Sequence, residues 1–94
     1  MQNLNQQQFN EAFHGDLFSN VVVVKYCIFG EVSYSIFGES KGVITHRLMT
    51  QKNEQRAFKK LETVESWLNG IDCCYWVVVN ELTPQYNKLM NKGL

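Results

Sequence analysis

The sequence predicts an α+β fold, an antiparallel sheet of β-β-β-α-β order with one main helix packed on one face and short terminal helices. Three observations predict it. The tetrapeptide Ile-Phe-Gly-Glu occurs at Ile28–Glu31 and again at Ile36–Glu39. An eight-residue offset is what a tight meander yields, roughly six strand residues and then a turn. A Val-rich segment opens at Val21, and an amphipathic stretch with helical spacing runs from Glu54 to Asn69.

Each element has its own local reason. Residues 1–8 are rich in Asn and Gln and are expected to fray. Leu4, Phe9, Ala12 and Phe13 are spaced for a short helix over about residues 5–14, stopped by His14-Gly15-Asp16. Asn20 to Phe29 is the first strand, with Lys25 its only charge, and Gly30-Glu31 turns the chain as a Gly-X pair. Val32–Phe37 alternates cleanly, Val32, Tyr34 and Ile36 against Ser33 and Ser35. After a longer turn over Gly38 to Gly42, Val43–Met49 sets Ile44, His46 and Leu48 on one face.

Asn53 reads as an N-cap for a helix over Glu54–Asn69, whose stripe is Ala57, Leu61, Val64 and Leu68, flanked by Phe58 and Trp67. Gly70 stands where a helix ends. A strand over about Cys73–Asn80 follows, then Thr83-Pro84, a cap and first-turn proline for a last helix with Tyr86, Leu89 and Met90 inward. The helix stripe buries one sheet face. The other face, expected to carry several of Val21, Val23, Cys27, Phe29, Tyr75 and Val77, is left to the terminal helices or to a second molecule. Homodimerisation through that face or a sheet edge is therefore an open alternative.

The 94 residues make a single domain spanning 1–94. Nine bases balance nine acids, so no global field draws the chain to nucleic acid or membrane. The three cysteines, Cys27, Cys73 and Cys74, form no disulfide framework and point to a reducing compartment. The N-terminal residues lack the pattern of a signal peptide, and the longest apolar run, Val21–Val24, is far short of the ~20 residues that span a bilayer. A soluble cytoplasmic protein is expected.

No nucleophile elbow, phosphate-cradling glycine loop, zinc-helix pair or dinucleotide fingerprint occurs. His14 and His46 lie in different elements, and Cys73-Cys74 point to opposite faces of a strand, so no metal site and no cofactor are expected. One thiol of that pair faces the core and the other is open to oxidation, and neither has a neighbouring base to activate it. A redox or enzymatic role would fall to Cys73 or Cys74.

A local charge signal does stand out. Between Lys41 and Lys60 lie Lys41, Arg47, Lys52, Arg56, Lys59 and Lys60 against Glu54 alone. On the expected helix the bases occupy the first half and Glu62 and Glu65 the second, the order the helix dipole disfavours, which hints at use. Such a patch suits phosphates or an acidic protein surface equally, and a solvated face is the common alternative. Trp67 at the stripe's edge is a candidate anchor beside these cations. The candidate binding residues are Arg47, Lys52, Arg56, Lys59, Lys60 and Trp67.

Arg56-x-Phe58, Glu62, Glu65-Ser66-Trp67 and Gly70, within residues 55–71, resemble a helix segment of small phage- and plasmid-encoded accessory proteins, phage CRISPR inhibitors among them. The resemblance implies a non-enzymatic protein of a mobile element that inhibits a host protein or ribonucleoprotein by stoichiometric binding. Charge mimicry of nucleic acid does not suit a neutral chain with a basic patch, whereas cations meeting a guide RNA or an acidic protein patch do. The alternative is a nucleic-acid-binding accessory or regulatory protein, monomeric or homodimeric.

Overall fold

A computed structural model describes residues 1–90. The elements are β1 (Gln2–Leu4), α1 (Gln6–His14), β2 (Asn20–Ile28), β3 (Glu31–Ser40), β4 (Val43–Leu48), α2 (Leu61–Gly70), β5 (Val77–Asn80) and α3 (Pro84–Met90). The fold is α+β, but the sheet is mixed, in the order β1-β4-β3-β2-β5, and not purely antiparallel. β2, β3 and β4 form the expected meander, while β1 runs parallel to β4 and β5 parallel to β2. A parallel partner needs a crossover, and α2 supplies it by returning the chain to the end where β2 begins. The residues expected to fray are the source of the extra strand. Leu4 pairs with Leu48 at the bare edge of β4, and Asn5 then caps α1 in a capping box with Gln8.

The two copies of Ile-Phe-Gly-Glu have different fates. In the first, Phe29 and Gly30 form the two-residue turn, with φ of 52° and 80°, between the paired Ile28 and Glu31. Two left-handed residues make a type I′ turn, not the expected Gly-X turn. A bulky residue there costs about 1–2 kcal/mol. In the second copy Gly38 lies inside β3, where the Phe18 ring occupies the space of the missing side chain. Glu39 accepts from the Gly42 N–H at 2.7 Å and from Asn20 Nδ2 at 2.8 Å, so its carboxylate braces the next turn, Lys41-Gly42. That turn is again two residues with positive φ, and not the longer one expected.

A bulge splits the face expected for β4. Gly38 pairs with His46 and Glu39 with Ile44, leaving Thr45 unopposed. Ile44 therefore joins Val22, Val24, Phe37 and Val79 on one face, and Leu48 joins Val21, Val23 and Ile36 on the other. The second group packs under α1 and α2 through Phe9, Ala12, Val64 and Leu68. The first is covered by Tyr86, Leu89 and Met90 of α3, whose start Thr83 caps as expected. Val21 and Val23 thus lie under the two earlier helices and not on the second face. Burial and the adjoining Tyr86 raise the Tyr26 phenol well above its ordinary pKa, so this contact is made by a neutral ring.

The main helix is shorter than the pattern suggests. Asn53 takes φ of 62° and reverses the chain instead of capping a helix. Residues 55–58 re-enter the sheet. The Arg56 N–H donates to Leu48 O at 3.0 Å, and Tyr34 and Phe58 exchange bonds of 2.7 and 2.8 Å. Burying Phe58 wins over the helical stripe, and Ala57 stays exposed while Leu61 is 41% exposed. α2 starts at Leu61 behind Lys60, with Glu62 in its first turn, so the expected conflict with the helix dipole disappears. At its other end the left-handed residue is Asp72, φ 61°, and not Gly70, which is the last residue of the helix.

Two outcomes test this packing. Gly38→Ala would set a Cβ 2.5 Å from Phe18 ring carbons, and urea unfolding should show a loss of about 1–3 kcal/mol. His46 is buried against Phe18, and burial, then the N-terminal ammonium, lower its pKa from the ordinary 6.5. Below that value the unfolded chain takes up a proton that the folded protein resists, so stability falls with falling pH until the folded imidazole also titrates. The melting temperature should drop between about pH 7 and pH 5, and His46→Gln should flatten that limb.

Candidate functional site

The cations of the 41–60 stretch do not share one surface. Lys41 lies in the β3–β4 turn. Arg47 pairs with Phe37 and so stands on the sheet face that α3 covers, away from the other candidates. Lys52 and Arg56 come together because the chain leaves the lane of β4 after Met49 and returns at Gln55. Thr50 shapes the excursion: its N–H donates to Glu54 O at 2.7 Å, and its hydroxyl accepts from the Lys52 and Glu54 N–H groups at 3.2 Å.

An open groove of about 630 Å³ lies between this excursion and the start of α1. Lys52, Glu54, Gln55 and Arg56 line one wall, and Asn5, Gln6 and Gln7 the other. Arg56 is held in place from both ends. Its backbone is tied to Leu48, and its guanidinium carbon stands 4.9 Å from the centroid of the Phe58 ring. Its Nε is buried without a hydrogen-bond partner among the described residues. Gln55 is committed elsewhere, donating to the buried Ser35 hydroxyl at 2.8 Å.

A shallower depression shares Gln6 and Gln7 with this groove and continues over Asn10 to Ser66, Trp67 and Ile71. Trp67 is half-buried, edge-on to Phe9 with centroids 5.8 Å apart, so one edge packs in the core and the rest borders the depression. One surface therefore joins Lys52 and Arg56 to Trp67 across the first turn of α1. Lys59 belongs to a second groove beside Phe29, and Lys60 precedes α2 as its cap. The amides of Asn5, Gln6 and Gln7 are the part that sequence reasoning missed. Their signal was the Asn5-x-x-Gln8 capping pattern, which marks a helix start.

The arrangement presents hydrogen-bond donors and two cations to whatever enters the groove, with Glu54 the one acid on its wall. A guanidinium stacked on a ring and fixed at its backbone is prepared for a planar, two-point acceptor such as a carboxylate or phosphate. No group of three or more His, Cys, Asp or Glu suited to a metal is assembled among the described residues. No helix among them is long and apolar enough to cross a membrane. Cys73 is buried, as one of the pair was expected to be, with its Sγ 3.2 Å from Tyr75 O, and burial raises its pKa. β5 begins only at Val77, so Cys73, Cys74, Tyr75 and Trp76, expected within that strand, precede it, and the two cysteines do not lie on opposite strand faces.

No protein family matches the chain, and no curated protein or solved structure matches it.

Thiol titration checks the cysteine placement. Cys27 and Cys74 are exposed and should react rapidly with an aromatic disulfide reagent in the folded protein, while Cys73 should react only on unfolding. A Cys73→Ser variant should leave the fast phase unchanged.

Proposed function

We propose that the chain is a small non-enzymatic binding protein that acts by stoichiometric attachment to an acidic patch of a partner protein or ribonucleoprotein. One observation carries the reading. Arg56 is pre-organised by Phe58 and by Leu48 O, and with Lys52 it faces the amides of Asn5, Gln6 and Gln7 across a groove. A side chain fixed in advance loses less entropy when it pairs, so this site favours a carboxylate-bearing segment. The resemblance of residues 55–71 to accessory proteins of phages and plasmids agrees with a host partner.

Distribution of charge separates this reading from nucleic-acid binding. A strand of phosphates needs a continuous basic track. Here Arg47 lies on the opposite sheet face, Lys41 lies in the β3–β4 turn, and Glu54 interrupts the groove. Two cations beside neutral amides suit a short acidic segment better than a long polyanion.

The double variant Lys52→Glu, Arg56→Glu tests it. Lys52 is exposed, whereas Arg56 is half-buried against the Phe58 ring, so the variant should lose about 1–2 kcal/mol and its folding is checked by circular dichroism before capture. Affinity capture from host extract, quantified against wild type, should lose the specific partner at least about tenfold. Equal recovery by both proteins would overturn the assignment. Salt-dependent binding to a mixed DNA and RNA pool, with a slope reduced by about two in the variant, would replace the protein partner by nucleic acid.

A further inference from the structure

We propose that a second copy of this chain docks at the β2–β3 hairpin tip, the Phe29 ring of each protomer seating in the groove of the other. Phe29 is fully exposed and Ile28 is 57% exposed, so the tip carries a bare apolar knob. Phe29 also sits at φ 52° in a turn position that favours Asn, Asp or Gly. The other non-glycine residues of positive φ are Asp16, Lys41, Asn53 and Asp72, all polar, which leaves Phe29 as the one bulky aromatic held that way among the described residues. Nothing in the described fold repays this placement, since the ring packs against no part of either core cluster.

The knob forms one side of an open groove of about 650 Å³, with Ile28, Val32 and Ala57 supplying the rest of its apolar wall and Glu31 and Lys59 supplying one charge of each sign. The paired ladder on this side of β3 stops at the isolated Tyr34–Phe58 bridge, so the groove opens onto the unpaired edge of β3 at Val32. Knob and groove are neighbours on one surface. That is the condition for an isologous contact, in which a two-fold axis brings each knob to the other's groove and satisfies both at once. The same axis sets Glu31 of one protomer against Lys59 of its copy, so the charges of the rim are self-complementary. A foreign partner would need a pocket and a knob that this surface already contains. Two hairpin tips bury less than the ~1,200 Å² of a standard interface, so the association is weak, in the high-micromolar range.

Sedimentation velocity from about 10 μM to about 1 mM tests this. Wild-type protein should shift to dimer across that range. Phe29→Asn supplies the residue the turn favours and should melt at or above the wild-type temperature, yet weaken dimerisation at least about tenfold. Glu31→Lys and Lys59→Glu should each weaken it, and the combined charge swap should restore it to within about threefold of wild type. Wild-type protein that stays monomeric throughout, or a well-folded Phe29→Asn variant that self-associates like wild type, would overturn the proposal. So would a double swap no better than the single variants.

Discussion

The reciprocal pair of hydrogen bonds between Tyr34 and Phe58 is the constraint on which the rest of this structure depends. It returns the chain to the sheet after the excursion that follows Met49, fills the space beneath α2 with the Phe58 ring, and fixes where α2 can begin. Without it, residues 54–60 have a fair helical pattern and no reason to be extended. With it, Arg56 is stretched between Leu48 and the Phe58 ring, and Lys52 is carried out on the excursion to face the start of α1. Two backbone bonds and one buried ring thus convert a run of charge into a groove.

This is also why the sequence was legible in some places and not in others. The meander from Asn20 to Leu48 and α3 follow from local signals, valine density, alternation and a Thr-Pro start, and these survive in the fold. The parallel strands do not announce themselves. Gln2–Leu4 has no strand composition and pairs only because β4 leaves an edge open, and β5 is parallel only because α2 crosses over. Ile-Phe-Gly-Glu shows the limit of local reading most directly. Four identical residues make a turn at one site and the centre of a strand at the other, where Phe18 needs the space above Gly38 and Glu39 needs two donors.

The candidate site divides in the same way. Charge density alone picked out Lys52, Arg56, Lys59, Lys60 and Arg47, and a helical stripe picked out Trp67. Which of these share a surface depends on the plain alternation of β4, which turns Arg47 away from the Leu48 face, and on the excursion, which no periodicity records. Arg47 fell away for the first reason, and Lys52 joined Arg56 for the second. The amide wall at Asn5–Gln7 was hidden because a helix start reads as punctuation in sequence and becomes a surface only when another segment is packed beside it.

The two grooves are linked by one short extended segment. Successive residues of such a segment point to opposite sides. Arg56 and Phe58 turn towards the α1 side and the core, and Ala57 and Lys59 line the groove at the hairpin tip. The same backbone bonds therefore position both candidate surfaces, although each takes its chemistry from different side chains. Binding residues carried on loops are useful only when a rigid element fixes them, and here that element is the re-entrant stretch against β3. A partner drawn to Arg56 and a copy drawn to Phe29 would occupy opposite sides of one four-residue strip. The two linings share no residue, so if both proposals hold a weak dimer carries two acidic-segment grooves at once. Such bivalency raises avidity without any new contact, provided a partner can span both sites.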